Sequence, residues 1–174
     1  MILTMPQVTE KMTIDVVDEK DVPIGVIERD EVFKQRANFR VAHNLIFNSR
    51  GELLTQRLAS SRIRHPGYWG SSVAAYIFAG ESYASAAERR LGQELDLHGV
   101  PLNYVGTTSM KDEGSHKFIG VFVANHNGPF SFDPHHIDSL EFLALPVIRE
   151  LHAAGSRRFT PTFLRVLSFY ESRM

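Results

Sequence analysis

The chain has 174 residues, of which 43% are hydrophobic, and a formal net charge of −1. These values are typical of one globular domain with a core, and the balanced charge gives no electrostatic argument for a nucleic acid or a membrane as partner. The absence of cysteine excludes disulfides, thiolate metal ligands and cysteine nucleophiles. The first 12 residues lack the basic start and apolar run of a signal peptide, so a cytoplasmic location is expected.

Most of the chain reads as β-strands separated by turns. A hairpin is predicted over residues 13–18 and 22–27, with Glu19, Lys20 and Asp21 in the turn. Polar residues 30–38 suggest a short helix. Further strands are predicted at residues 40–47, 53–57, 72–78, 102–110, 117–124 and 140–145, with loops at 59–69 and 132–138.

The last part of the chain reads as two helices. Pro146 suits a first helical position, and Gly155 is a natural stop. Thr160 is predicted to cap a second helix that starts at Pro161, over about residues 161–172. Its apolar residues recur at helical spacing and are expected to face the core: Phe163, Val166, Leu167 and Tyr170.

The central stretch, residues 75–97, reads as a loop that turns into a helix. Ser82 can accept a hydrogen bond from a free N–H of the first turn and is the predicted N-cap. Ala86, Ala87, Leu91 and Leu95 then form an apolar stripe, so a helix over residues 82–95 is expected. Arg90, Gln93 and Glu94 stand at i, i+3 and i+4 and form a ridge on a different face.

This stretch resembles the Nudix box, G-x5-E-x7-R-E-U-x-E-E-x-G-U, where U is a bulky apolar residue. Five of its fixed positions match: Glu81, Arg89, Leu91, Glu94 and Leu97. Four differ, with Ala75 and Asp96 in place of glycine and Arg90 and Gln93 in place of glutamate. The resemblance implies a Nudix α/β/α sandwich with a mixed central sheet. One domain is expected over residues 1–174, with a core of about 13–150.

In Nudix hydrolases three carboxylates of this helix bind a divalent metal and activate water on a diphosphate. Only Glu94 remains here, and Arg90, one turn earlier, can pair with it. Arg90, Gln93 and Glu94 are the candidate catalytic residues, and Glu94 is predicted to be a weak metal ligand. Mg²⁺ or Mn²⁺ is expected to bind weakly or to arrive with the substrate diphosphate.

The chain is also similar to isopentenyl diphosphate isomerases of the same superfamily. The similarity covers residues 16–29 and 66–73, and Arg89-Arg90 before Glu94. The chemical groups of that family are absent: its catalytic cysteine falls on Ala74 and the histidine two residues on falls on Tyr76. Its other metal ligands fall on Val32, Phe39, Ser115 and Lys117. The resemblance therefore concerns the scaffold, and isomerase activity is a distant alternative.

Other candidates have two interpretations each. Arg57, Arg62 and Arg64 can grip a diphosphate with their guanidinium forks or can simply be solvated. Arg89 is a candidate for substrate binding or for tying the loop to the helix, while Glu81, Leu91 and Leu97 are assigned structural roles. Asp112 and Glu113 lie where Nudix hydrolases often carry a further carboxylate. The histidines match no standard metal-site spacing: His65, His116, His135 and His136.

Three functions follow from these residues. The first is a Nudix hydrolase of a nucleoside diphosphate linked to another group, with an atypical, weakened metal site. The second is a non-catalytic Nudix domain that binds a diphosphate metabolite or a protein. The third is an isomerase-like enzyme. A small-molecule diphosphate is the expected ligand, and a homodimer is an open alternative to a monomer.

Overall fold

A computed structural model of the protein describes residues 12–174. The strands are β1 (Thr13–Val17), β2 (Pro23–Glu28), β3 (Phe39–Phe47), β4 (Leu53–Leu58), β5 (Trp69–Gly70), β6 (Val73–Tyr76), β7 (Asn103–Asp112), β8 (Ser115–Asn125) and β9 (Ile137–Leu143). The helices are α1 (Tyr83–Leu95), α2 (Leu145–Ala153) and α3 (Pro161–Ser172). The expectation about a signal peptide concerns a segment that lies, except for Met12, outside the described residues. No helix in this part of the chain is long and apolar enough to cross a membrane.

The central sheet has seven strands and is mixed. Strands β5, β4, β3, β8 and β7 form its main path, while β6 pairs with β3 and β9 with β4. Strand β3 runs parallel to β8 and antiparallel to β6. Strands β1 and β2 form a separate hairpin. The predicted mixed sheet is therefore confirmed.

Strand β3 is buried on both faces, and its alternating side chains divide the core in two. Phe39, Val41, Leu45 and Phe47 belong to the core cluster that contains Phe163 of α3. The alternate residues Ala42 and Ile46 pack in clusters with side chains of α1. Since successive strand residues point to opposite faces, α1 and α3 cover opposite sides of the sheet. This is the predicted α/β/α sandwich.

Helix α1 forms as its sequence predicts. The Ser82 hydroxyl accepts a hydrogen bond from the backbone N–H of Ser85, at 3.1 Å. The predicted apolar stripe of Ala86, Ala87, Leu91 and Leu95 is buried. Glu94 is also buried, whereas Arg90 is half-buried and Gln93 is exposed, so the predicted ridge extends from the surface into the protein.

Helix α3 is capped by Thr160, whose hydroxyl accepts a bond from Phe163 N. Phe163, Val166 and Leu167 are buried, and Tyr170 packs on Phe47. Because this helix completes the same core as the sheet, we propose that the described residues form one domain.

Element boundaries differ from expectation at several places, most of them by one or two residues. The short helix expected over residues 30–38 is only a 3₁₀ turn, Arg29–Glu31, followed by further turns. Strand β9 begins at Ile137 and ends at Leu143, earlier than predicted. Helix α2 begins at Leu145, so Pro146 occupies its second position, where its missing N–H is still harmless.

Candidate functional site

A cavity of about 350 Å³ opens between α1 and the edge of the sheet. Its walls come from strands β3, β4 and β6, the loop of residues 59–68, the start of β8 and the start of α3. This volume lies within the range of small-molecule pockets in proteins. We call it the cationic pocket, because of the side chains that line it.

Among residues 12–174, six of the lining side chains are lysine or arginine, and only one is a carboxylate. The cations are Arg29, Arg62, Arg64, Arg89, Arg90 and Lys117, and the carboxylate is Glu94. Five of these cations form ion pairs, Arg90 with Glu94 and the others with Asp30, Glu81 or Asp112. Of these carboxylates only Glu94 lines the described part of the cavity, so the surface that faces the cavity is mainly positive. Such a surface attracts an anionic ligand.

Glu94 is held by Arg90, one turn earlier on α1. Arg90 Nε donates to Glu94 Oε1 at 3.2 Å, while Glu94 Oε2 is buried without a hydrogen-bond partner in the described part of the chain. Burial raises the pKa of the Glu94 carboxyl, and the charges of Arg90 and Arg62 offset part of this effect. The predicted Arg90–Glu94 pair is therefore present, and one acceptor oxygen stays free.

Arg62 stands out among the cations because its Nε is buried and has no partner among residues 12–174. Burial lowers the pKa of its guanidinium, and the Glu94 charge counteracts this. A buried donor without an acceptor costs free energy, so the site favours a ligand that brings one. The predicted phosphate-binding role of Arg62 agrees with this position.

Lys117 and Arg64 share one carboxylate at the pocket wall. Lys117 Nζ donates to Asp112 Oδ2 at 2.7 Å and to Thr162 Oγ1 at 2.6 Å, and Arg64 Nη2 donates to Asp112 Oδ1 at 2.8 Å. Burial would raise the pKa of Asp112, but the two cations outweigh it and hold that pKa below its usual value. Both carboxylate oxygens of Asp112 therefore accept hydrogen bonds from these cations.

His43 supplies a neutral polar group to the pocket. Its Nδ1 lies 2.7 Å from the Ser71 hydroxyl, and the side chain is buried. Burial, reinforced by the charge of Lys117, lowers the pKa of His43 to about 3. At neutral pH this ring carries no charge, and Nδ1 can donate a hydrogen bond to the Ser71 hydroxyl or accept one from it, depending on the tautomer.

Arg89 and Glu81 tie the loop to the helix. Arg89 Nε and Nη2 donate to the Glu81 carboxylate at 2.9 and 3.0 Å, and Nη2 also donates to Tyr76 O. Glu81 in turn accepts from Phe78 N at 2.8 Å. These bonds occupy much of the Arg89 fork, so the geometry favours the structural role of Arg89 over the predicted substrate contact.

The two box glycines that are replaced have separate explanations. Asp96 is the C-cap of α1 and has a left-handed backbone, with φ 53°, a conformation that glycine adopts most easily. Ala75 lies within β6, paired with Ala42, and tolerates a side chain there. Both substitutions are compatible with the loop–helix geometry.

The remaining predicted residues lie in the core, at the pocket wall or away from the pocket. Gln93 accepts hydrogen bonds from Arg89 and Arg90, and Leu91 and Leu97 are buried in the core beside α1. Arg57 does not line the cationic pocket; it contacts Asp138 and Gly67 O instead, so its position does not support substrate binding there.

Lys117 was not predicted to line a pocket. Its only predicted feature was that it stands at the position of an isomerase glutamate, and no site role was predicted for Arg29 or His43. A lysine inside the apolar strand S-H-K-F-I-G-V-F-V was a usable signal, because a buried charge in a strand needs a partner or a function.

The mixed sheet lies between helices, and the cavity lies against α1, the helix that carries the match to the Nudix box. The model of the NUDIX domain matches residues 37–163, and the chain belongs to the Nudix hydrolase family. An uncharacterized Nudix hydrolase of Pseudomonas aeruginosa is 32% identical over 154 residues, which cover 88% of this chain and 90% of that protein.

The isomerase resemblance is also confirmed at the level of the superfamily. An isopentenyl-diphosphate Delta-isomerase of Pectobacterium atrosepticum is 27% identical over 164 residues, covering 90% of this chain and 92% of that enzyme. A crystal structure from Deinococcus radiodurans superposes with a TM-score of 0.80 at 24% identity, covering 91% of this chain and 99% of that chain. This last likeness shows the fold alone.

Nudix hydrolases generally use a divalent metal ion, but the donor set of this pocket does not fit one. Within residues 12–174, no group of three or more His, Cys, Asp or Glu side chains could hold a metal. Mg²⁺ favours several oxygen ligands, whereas Glu94 is paired with Arg90 and shares the pocket with Arg62 and Lys117. The interior of the pocket therefore suits an anion better than a cation.

Proposed function

We propose that the cationic pocket binds a small-molecule diphosphate, and that the protein hydrolyses a nucleoside diphosphate linked to another group. One observation carries the proposal: within the described part of the chain, six cations and a single carboxylate line a cavity of about 350 Å³. Diphosphate oxygens match guanidinium forks in charge and geometry. Family membership supports hydrolysis as the reaction.

In this proposal the arginines bind the phosphate oxygens of the ligand, and Glu94 acts at the bond that is hydrolysed. Its free Oε2 can accept a hydrogen bond from a water molecule or a ligand hydroxyl, while Arg90 fixes the other oxygen. The metal prediction is retained in its weak form: we expect Mg²⁺ or Mn²⁺ to bind the free protein weakly or to arrive with the diphosphate.

A second function is favoured by the loss of two box glutamates. Arg90 and Gln93 stand in their places, so the helix lacks the carboxylates that the family uses for catalysis. A Nudix domain that binds a diphosphate metabolite, or a protein, without hydrolysing it is consistent with this pocket. The isomerase alternative has no support in the pocket, where Ala74 occupies the position of the catalytic cysteine.

ADP-ribose is a suitable first probe, because it is a nucleoside diphosphate linked to a sugar. Calorimetry measures its binding, and chromatography after incubation with Mg²⁺ or Mn²⁺ detects the release of AMP. Binding with product supports the hydrolase, and binding without product, across a panel of such compounds, supports the second function. No binding by any member of the panel would overturn the proposal. Size-exclusion chromatography of the same samples checks the predicted alternative of a homodimer.

A further inference from the structure

We propose that the cationic pocket holds the diphosphate group of its ligand without needing a divalent metal ion. The positive charge that a metal would supply comes instead from side chains of the protein. This inference rests on the proposed function, since it concerns the same pocket and the same ligand group.

Arg62 is the first element of the inference. Its Nε is buried at the pocket with no hydrogen-bond partner in the part of the chain that the structure describes. Buried polar groups in proteins are nearly always satisfied, and a guanidinium pairs best with a carboxylate or phosphate. An oxygen of the ligand's diphosphate would complete this site.

Lys117 is the second element. Its ammonium has three N–H donors, and two of them are used by Asp112 and Thr162. Arg64 donates to the other oxygen of Asp112 and also lies 3.8 Å from the Glu113 carboxylate, which is 64% exposed and therefore screened by solvent, so the two cations share Asp112 as their close partner. Lys117 is only 6% exposed, and burial lowers its pKa, while the hydrogen bond and the charge of Asp112 act against this and hold the ammonium beside the cavity.

Glu94 is the third element, because from Met12 onward it is the only carboxylate that lines the cavity. A metal ion at this oxygen would compete with Arg90 and lie in a pocket that already contains Arg62 and Lys117. Repulsion among these cations disfavours the metal, whereas an anion is attracted by all of them. The same charges therefore oppose metal binding and promote binding of a metal-free diphosphate.

The test is calorimetric titration of inorganic diphosphate into the full-length protein, once in EDTA and once in excess Mg²⁺. We expect binding in EDTA to be at least as tight as in Mg²⁺, because no protein-bound metal is required and a Mg²⁺ ion on the diphosphate would offset part of its attraction to the cations of the pocket. In EDTA, Arg62→Gln should weaken binding by about tenfold or more, and Arg62→Lys, which keeps the charge but loses the fork, should weaken it less. Arg50→Gln, in the exposed turn after β3, is the matched control and should bind as the parent does.

Diphosphate binding that requires Mg²⁺ and vanishes in EDTA would overturn the inference while leaving the proposed function intact. If neither diphosphate nor ADP-ribose binds in either buffer, the proposed function fails as well. Equal binding in EDTA by Arg62→Gln and the parent would remove Arg62 from the site and contradict the inference. Should Arg62→Gln fail to fold, as judged by circular dichroism, the Arg62→Lys variant and the two parent titrations decide.

Discussion

Arg90 Nε lies 3.2 Å from Oε1 of Glu94, one turn further along α1, in an ion pair whose carboxylate is only 3% exposed and whose arginine is 26% exposed. This pair occupies the position at which the family carries glutamates. The sequence predicts only that this ridge lies on a separate face of α1, whereas in the structure it forms part of the pocket wall. The pair links two successive turns of α1 and contributes no net charge to the pocket wall.

Removing Arg90 should therefore destabilise the fold. We expect Arg90→Gln to lower the free energy of unfolding by roughly 2 kcal/mol at pH 7, since it leaves the buried charge of Glu94 uncompensated. Urea denaturation measures the change. Arg149→Gln is the matched control, because Arg149 pairs with Glu171 in an exposed position, at 2.6 Å, and its loss should cost less than about 1 kcal/mol. Equal losses in the two variants would contradict the buried character of the Arg90–Glu94 pair.

The pH dependence of stability reports on Glu94. Burial raises its folded pKa above the ordinary value of 4.5, despite Arg90 and Arg62, so the native state holds the proton more tightly than the unfolded chain. The stabilising contribution of this group is then present below pH 4.5 and lost as the pH rises through the folded pKa. We expect the free energy of unfolding of Glu94→Gln, relative to the parent, to increase between pH 4.5 and neutrality. Urea titrations over this range provide the measurement, and a difference that does not change with pH would show that the pKa is not raised.

His43 should produce the opposite trend. Its pKa falls from 6.5 to about 3 on folding, because of burial and then the charge of Lys117. Between these values the unfolded chain binds the proton and the native state does not, so stability is lost as the pH falls, by up to about 1.4 kcal/mol per pH unit. We expect His43→Gln to remove this component from the pH profile of unfolding. If the stability of His43→Gln falls at low pH as steeply as that of the parent, His43 is not the source of this component.

Asp96 offers a stabilising substitution. Its φ of 53° places a non-glycine residue in the left-handed region at the C-cap of α1, where the family motif has glycine. We expect Asp96→Gly to raise the free energy of unfolding by about 0.5 kcal/mol, after the lost contact with exposed His98 and the greater freedom of the unfolded chain are included. Glu88→Gly, at an exposed position inside the same helix, should instead cost about 1 kcal/mol. Thermal unfolding compares the two, and destabilisation by Asp96→Gly would show that the aspartate is a preferred cap.

Restoring the two family glutamates should strengthen metal binding in the pocket and lower the free energy of unfolding. The double variant Arg90→Glu with Gln93→Glu places three carboxylates on one face of α1 and removes the cation that occupies Glu94. We expect tighter Mn²⁺ binding than in the parent by calorimetry. We also expect a loss of roughly 2 kcal/mol of stability, because Glu94 loses its pair. A folded variant that binds Mn²⁺ no better than the parent would mean that this helix cannot be returned to a metal site by these two residues.

Much of the fold follows from local features of the sequence. Helix α1 has a cap at Ser82, an apolar stripe and a box match within a few turns of chain, and helix α3 has Thr160 and Pro161 at its start. Such signals act between neighbouring residues, so they can be read without knowledge of the rest of the molecule. The family resemblance added the α/β/α sandwich with its mixed central sheet, which local patterns leave open.

The candidate site was harder to predict, because its walls join parts of the chain that are far apart in sequence. The sequence by itself determined that two box glutamates are absent, that Glu94 remains and that Arg90 can reach it. Only the tertiary structure decided that Glu94 is buried, that Arg62 and Lys117 face the same cavity and that Arg57 does not. The reason is physical: burial and charge pairing depend on which strands and loops pack against α1, and the pairing of β3 with both β6 and β8 sets that arrangement.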